Sequence, residues 1–277
     1  MSERPDSRSL AFIGGGNMAR SLIGALIRQG VNAASISVAE PRADARDGLA
    51  REFGVRAYAD NADALTGAEC VLLSVKPQVM HTVCSQLAEP LRVSRPLLIS
   101  IAAGVRIVQL EGWLGAHLAI VRCMPNTPAL IGAGASGLCA NARVGAAQRA
   151  LAERIFNAAG VTRWIEDETQ MDVVTALSGS GPAYFFLLTE AMEDAAVSLG
   201  VPRETARALA MQTCLGAGRM LAEGGETAAQ LRARVTSPHG TTDAALRVFA
   251  EGNLHKLVAQ AMKAATLRGG EMSAALD

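Results

Sequence analysis

Short apolar runs recur along the first half of the chain: "SLAFI" (9–13), "ISVA" (36–39), "VLLSV" (71–75), "LLISI" (97–101) and "AIVRC" (119–123). None alternates strictly with polar residues. Continuous apolar runs of four or five residues fit parallel strands buried on both faces. Amphipathic segments separate them. "MARSLIGALIRQG" (18–30) places Leu22, Ala25 and Leu26 at helical spacing and meets a stop at Gly30. "ADARDGLAREFG" and "PQVMHTVCSQLAEPL" repeat the pattern. Strand–helix–strand repeats of this kind predict a doubly wound α/β sheet with right-handed crossovers.

The second half changes character. After "VTRWIEDE" no further strand is predicted. Residues 171–200 read as one long helix with a Gly-Pro irregularity, stopped at Gly200, and residues 202–225 as a second. That second helix is apolar around most of its circumference, and such a helix is normally buried from all sides. A small helical domain cannot bury it alone, so a partner subunit is implied. The pattern divides the chain into an α/β domain, 1–166, and an all-α domain, 167–277.

Composition narrows the setting. The chain has 277 residues, 50% of them hydrophobic, enough for a substantial core. Its formal charge is zero, so no overall field draws it to nucleic acid or an anionic membrane. The opening "MSERPDSRS" lacks an apolar signal core. The uncharged stretch from Cys123 to Ala142 holds Pro125, Pro128 and several glycines, which argues against a membrane helix. Cys70, Cys84, Cys123, Cys139 and Cys214 are scattered among apolar neighbours without CxxC spacing. They read as buried thiols in a reducing cytoplasm. No metal-ligand cluster and no Ser/His/Asp triad emerges, and His81, His117 and His255 read as surface or helix-face residues.

Candidate chemistry begins at Gly14-Gly15-Gly16-Asn17-Met18-Ala19, a G-x-G-x-x-A turn between the first strand and the first helix. Gly14 permits the tight turn, Gly16 lets backbone approach a pyrophosphate, and Ala19 allows close helix–strand packing. The helix N-terminus offers free N–H groups to the phosphates. This context makes the first domain Rossmann-like and dinucleotide-binding. Glu40, ending the second strand, would accept from an adenosine ribose hydroxyl and favour NAD(H). Arg42 beside it would pair with the 2′-phosphate of NADP(H). Both are present, so these residues leave the choice open, and Glu40 also suits an ordinary strand end. Of 26 basic side chains only Lys76, Lys256 and Lys263 are lysines. Lys76-Pro77 closes a strand at the edge where ligands bind in such sheets.

Four further stretches follow in order: "ISIAAGV" (99–105), "VRCMPNTPALIGAGASGL" (121–138), "ALSGSGPAYFF" (176–186) and "RVTSPHGTTDAAL" (234–246). Together with the glycine turn they resemble pyrroline-5-carboxylate reductase from about residue 9 to 270. The resemblance implies hydride transfer from NAD(P)H to the imine carbon of 1-pyrroline-5-carboxylate, giving L-proline. NADPH is the expected cofactor, with NADH usable. By the family pattern Ile13, Gly14, Gly15, Gly16, Asn17 and Met18, then Asn61, Ser74, Val75, Lys76 and Pro77, and Ile101, Ala102 and Ala103, would line the cofactor. "SPHGTT" (237–242) would hold the substrate. The family forms dimers by interlocking its helical domains, so the expectation is an obligate homodimer whose sites combine one subunit's first domain with its partner's helices; larger rings of dimers would be compatible. Many members have Gly where His239 stands and Ala where Thr241 stands, which weakens His239 as a catalytic candidate.

The substrate seat also follows from elementary chemistry. Residues 237–242 precede the helical pattern "DAALRVFAE" and therefore open a helix. Free N–H groups with the hydroxyls of Ser237, Thr241 and Thr242 and the backbone of Gly240 suit a carboxylate. Thr242 is the catalytic candidate, donating a hydrogen bond to the ring nitrogen. The same residue types could simply cap the helix. "NTPALIGAGASG" (126–137) would run as a loop beside the nicotinamide, although turn chemistry alone could explain it. Two other readings compete: a hydroxyacid dehydrogenase of similar build, and a dinucleotide-sensing module without chemistry. The first resembles enzymes that use a lysine on the long helix, and residues 77–255 contain none. The second would not need "SPHGTT".

Overall fold

The computed structural model describes residues 9–276. The charged opening, expected to carry no signal core, lies for residues 1–8 outside the described residues. Two compact units divide the chain: one holds the residues up to Gly179 and those from Ala265 onward, the other Ser180–Ala264.

The first unit is built on eight strands: β1 (Leu10–Ile13), β2 (Ile36–Ala39), β3 (Arg56–Tyr58), β4 (Cys70–Leu73), β5 (Leu97–Ser100), β6 (Ala119–Met124), β7 (Gly134–Ala140) and β8 (Gly160–Trp164). Their order across the sheet is β3-β2-β1-β4-β5-β6-β7-β8. All pairs are parallel except β6 with β7, where Arg122 stands opposite Cys139. The helices are α1 (Asn17–Arg28), α2 (Ala43–Phe53), α3 (Asn61–Ala64), α4 (Pro77–Ser94), α5 (Ile107–Leu114), α6 (Ala146–Asn157) and α7 (Met171–Val174).

Strand side chains alternate between the two faces, and here both faces are covered. Leu10, Phe12, Ile36, Val38, Leu72 and Ile99 pack with Leu22 and Ile23 of α1, Leu49 of α2 and Phe156 of α6. Ala11, Ile13, Val71, Leu73 and Leu98 pack with Met80 and Leu87 of α4 and Leu110 of α5. Each fully buried large side chain contributes about 1.5–3 kcal/mol. That double burial is why the strands read as continuous apolar runs.

Three strands were not predicted: β3, β7 and β8. β3 is short and mostly polar at its surface. β7 occupies part of the stretch expected to be a loop, since 134–140 is extended and only the 3₁₀ turn Thr127–Ile131 and its flanks remain irregular. Its small residues have a packing cause: a Cβ on Gly134 would lie 2.8 Å from the Ala159 carbonyl oxygen, and one on Gly137 2.6 Å from Val174 Cγ1. Such residues lower strand propensity and hide the strand. β4 ends at Leu73, two residues earlier than predicted, which frees Ser74 and Val75 for the loop.

The helix predicted over 171–200 is interrupted. α7 passes into a π-helical turn, Thr175–Gly179, before α8 (Gly181–Ser198) begins with Pro182 in its first turn. On the sheet side Arg122 of β6 is buried and pairs with Glu168 at 3.1 Å and Asp172 at 3.2 Å. Glu168 also accepts from the Ile107 N–H at 2.8 Å, so one buried guanidinium organises the approach to α7.

The second unit is helical, as predicted: α8, α9 (Arg203–Glu223), α10 (Ala228–Arg234), α11 (Thr241–Glu251) and the first part of α12 (Leu254–Ala274). Arg203 joins α9 to α8 through Glu193 and Asp194, both at 2.9 Å. Burial is sparse. Phe186 is 67% exposed and Leu209 62%, with Phe185, Leu187, Met211 and Leu215 exposed beside them. An apolar surface of that extent marks an association face. Among the described residues no helix is long and apolar enough to cross a membrane.

Candidate functional site

Strand order reverses between β1 and β4, and ligands of doubly wound sheets bind beyond the carboxyl ends of the strands at such a point. The glycine turn lies there. Gly14 donates its N–H to the Ala39 carbonyl at 2.9 Å, and Ser74 donates to the Ile13 carbonyl at 2.8 Å, tying the ends of β1, β2 and β4 together. Gly14 has φ +99°, a left-handed conformation, and a Cβ there would sit 2.7 Å from the Ser74 carbonyl oxygen. Gly15 is held by packing, since a Cβ would meet Leu49 Cδ1 at 2.4 Å. Gly16 is different. It caps α1 in ordinary extended backbone, and a Cβ would meet nothing within 4 Å. The protein leaves that space open beside the free N–H groups of α1, as close approach of a pyrophosphate requires.

At the end of β2 Glu40 is buried. Its Oε2 accepts from the Gly15 N–H at 3.3 Å, and its Oε1 accepts from the Arg42 N–H at 3.1 Å and Arg42 Nε at 3.3 Å. The Arg42 side chain itself is exposed and meets Glu40 through Nε. Asn61 opens α3 after β3. Ser74 and Val75 follow β4, Lys76 caps α4 with its backbone, and Pro77 starts that helix. Ile101, Ala102 and Ala103 follow β5, with the Ile101 N–H bonded to the Leu73 carbonyl at 3.2 Å. Among the described residues the Ser74 hydroxyl oxygen is buried with no hydrogen-bond partner. A buried polar atom left unsatisfied in the protein is costly and suits a ligand group. Open space at Gly16 and an unmatched hydroxyl at Ser74 both fit a dinucleotide.

These predicted cofactor residues all gather along one edge of the sheet. The predicted substrate residues lie in the second unit. The Gly240 N–H bonds the Ser237 carbonyl at 3.0 Å, closing a turn, and Gly240 is the N-cap of α11 without any side-chain cap. Thr241 and Thr242 occupy the first turn, Thr241 exposed and Thr242 half-buried. Capping alone therefore does not account for these hydroxyls. Asp243 in the same turn points along the helix to Arg247, at 3.6 Å. His239 has φ +59°, a conformation suited to glycine, so its backbone accounts for the position more readily than imidazole chemistry does. His81 is exposed on α4 and His255 on α12, but His117 departs from the surface reading. It is half-buried between α5 and β6, with Nε2 enclosed and unpartnered among the described residues.

Sequence reasoning missed the engagement of Glu40 with Gly15, which depends on a side-chain turn invisible in a pattern. It also gave no role to Asn126, although its setting between two prolines was a signal.

Residues 9–104 match the family model described as NADP oxidoreductase coenzyme F420-dependent, and residues 168–272 match that of pyrroline-5-carboxylate reductase dimerisation. A pyrroline-5-carboxylate reductase of Pseudomonas aeruginosa is 52% identical over 95% of this chain and 96% of its own. The solved structure of a pyrroline-5-carboxylate reductase from Coxiella burnetii superposes with a TM-score of 0.94 at 44% identity, over 97% of this chain and 99% of that one. A Plasmodium falciparum pyrroline carboxylate reductase with NADP bound superposes with a TM-score of 0.84 at 29% identity, over 98% of this chain and 100% of that one.

Proposed function

The chain belongs to the pyrroline-5-carboxylate reductase family, and from that premise we propose that it reduces 1-pyrroline-5-carboxylate to L-proline with NAD(P)H, the last step of proline biosynthesis. The observation that carries this reading is similarity along almost the whole chain, 52% identity over 95% of it, with both the cofactor turn and the helical seat included.

When bound, the reduced nicotinamide supplies the hydride that adds to the imine carbon. Ile13–Met18 would hold the pyrophosphate through turn N–H groups and the α1 terminus. Ser74, Val75, Lys76 and Pro77, with Ile101, Ala102 and Ala103, would form the wall along the neighbouring strands, and Asn61 would complete the adenosine side. Arg42 would pair with a 2′-phosphate, so NADPH is the preferred cofactor and NADH an accepted one. Glu40 contributes by holding both Gly15 and Arg42. In the helical domain Ser237, Gly240, Thr241 and Thr242 would bind the substrate carboxylate. Thr242 would also donate to the ring nitrogen, a bond that strengthens as hydride reaches the carbon and charge builds on the nitrogen. The proton that completes the amine would reach the nitrogen along that bond, replaced on the hydroxyl from water.

The dimerisation family model spans 168–272, so this region is the homodimerisation domain. We place the functional division at 1–166 for the dinucleotide and 167–277 for dimerisation and substrate. Rings of dimers and a cytoplasmic location belong to the same proposal; the free, buried thiols of Cys70, Cys84, Cys123 and Cys139 support the latter, while Cys214, expected to be buried with them, is exposed. The test is oxidation of NADPH dependent on 1-pyrroline-5-carboxylate, followed by nicotinamide absorbance, with proline identified as product. Absence of turnover with that imine would reject the reading.

A further inference from the structure

The stretches "VRCMPNTPALIGAGASGL", expected to pass beside the nicotinamide, and "ALSGSGPAYFF" carry no named functional side chain so far. In the first unit they meet at one side chain. Asn126, two residues beyond β6, is 8% exposed. Its Nδ2 donates to the Ser178 carbonyl at 2.9 Å, and its Oδ1 accepts from the Ala135 N–H at 2.9 Å. Ser178 belongs to the π-helical turn and Ala135 to β7. The turn is closed by its own hydroxyls: Thr175 donates to the Met171 carbonyl at 2.8 Å and Ser178 to the Val174 carbonyl at 2.9 Å. It also presses on β6, since a Cβ at Gly179 would lie 2.6 Å from Met124 Cε. A π turn inside a helix often marks a functional position.

Pro125 and Pro128 fix φ and have no N–H to donate, so the Asn126 amide supplies the segment's lateral anchors. That segment leaves the carboxyl end of β6, next to β5, whose following residues 101–103 are part of the proposed cofactor wall. Ligands of this architecture lie along that edge. We propose that Asn126 is a positioning residue for hydride transfer: its amide, engaged at both ends by main chain, holds residues 125–128 as a wall beside the reacting ring without touching the substrate. This role rests on the reductase reading. Displacement of a wall by about 1 Å can cost about 100-fold in rate.

Asn126→Asp separates positioning from folding. The introduced carboxyl keeps the acceptor for Ala135 but sets an oxygen against the Ser178 carbonyl, so only its protonated form can donate there. Burial and that facing carbonyl raise its pKa above the usual carboxylate range. The bond is therefore present at low pH and lost as pH rises through the raised value. Relative to wild type, kcat of Asn126→Asp should stay within about 3-fold near pH 6 and fall about 30-fold by pH 8, while NADPH affinity measured by fluorescence moves less than about twofold. Asn126→Ala should lose about 10- to 100-fold in kcat at every pH. A flat ratio of variant to wild type across pH would overturn the role. So would a loss that matches the unfolded fraction by circular dichroism, or an NADPH affinity that falls in step with kcat. Wild type that binds NADPH yet never turns over the imine would instead overturn the reductase reading, and this role with it.

Discussion

Replacing Gly14 and Gly16 separately by alanine distinguishes what the turn needs for folding from what it needs for the cofactor. At Gly14 the new Cβ enters a left-handed backbone with φ +99° and lies 2.7 Å from the Ser74 carbonyl oxygen and 3.0 Å from Val75 Cγ1. Strained backbone costs about 1–3 kcal/mol, and overpacking against main chain about 1–3 kcal/mol more. The sum, about 2–6 kcal/mol, is a large part of a typical domain's stability of about 5–15 kcal/mol. At Gly16 the backbone is ordinary and the Cβ meets nothing within 4 Å. The free protein should lose no more than about 1 kcal/mol, the N-cap preference for glycine over alanine. NADPH would nevertheless meet that methyl where its pyrophosphate must approach, and should bind about 10- to 100-fold more weakly, equivalent to about 1.4–2.8 kcal/mol. Urea unfolding and NADPH fluorescence titration read the two effects apart. A Gly16→Ala protein that binds NADPH like wild type would refute the cofactor assignment of the open space, and a Gly14→Ala protein of wild-type stability would refute the strain.

Three other outcomes can be measured on the same protein. Arg42→Ala should weaken NADPH about 10- to 100-fold, the worth of a charge-assisted contact, while sparing NADH; equal losses would make Arg42 structural. Thr242→Ala should lower kcat as well as kcat/KM, by about 10²–10³-fold at the upper end, with NADPH affinity unchanged; a loss confined to KM would leave Thr242 a binding residue. Burial raises the Cys84 thiol from its ordinary 9.0 to about 12, so the unfolded chain ionises first. Its contribution to stability is full below pH 9 and is lost as pH rises toward 12, which urea midpoints between pH 8 and 10 should show beginning; an unchanged midpoint would contradict it.

How much could be read from the sequence followed from how each element is buried. β1, β2, β4, β5 and β6 are covered on both faces and announce themselves as apolar runs. β7 is no less buried through much of its length, but close neighbours force Gly134 and Gly137 there, and a run of glycine and alanine reads as a loop. β8 alternates with exposed Val161 and Arg163 around buried Thr162, and its pattern is too short to separate from a turn. In the site the glycine turn was legible because three glycines between a strand and a helix have few other causes. Side-chain pairing was not. Glu40 could be assigned to a ribose from its position alone, yet its carboxylate receives Gly15 and Arg42, and only coordinates reveal where a side chain turns.

The helical half shows the same logic with the sign reversed. A sequence cannot say which surface a helix meets, but it can say that a helix has more apolar surface than its own fold will cover. In α9 only Ala206 and Ala210 are buried, while Leu209, Met211 and Leu215 remain exposed within the chain. Exposed apolar area stabilises nothing until it is removed from water, at about 25 cal/mol per Å². The dimerisation match over 168–272 supplies the missing surface: a second copy. Between α8 and α9 the ion pairs run from the exposed Arg203 and Arg207 to the half-buried Glu193 and the exposed Asp194, and pairs with an exposed partner are worth about 0–1 kcal/mol each. Most apolar side chains of α9 are left for association to cover, so the helix that looks too apolar in the sequence is the one whose exposed face the dimerisation match explains.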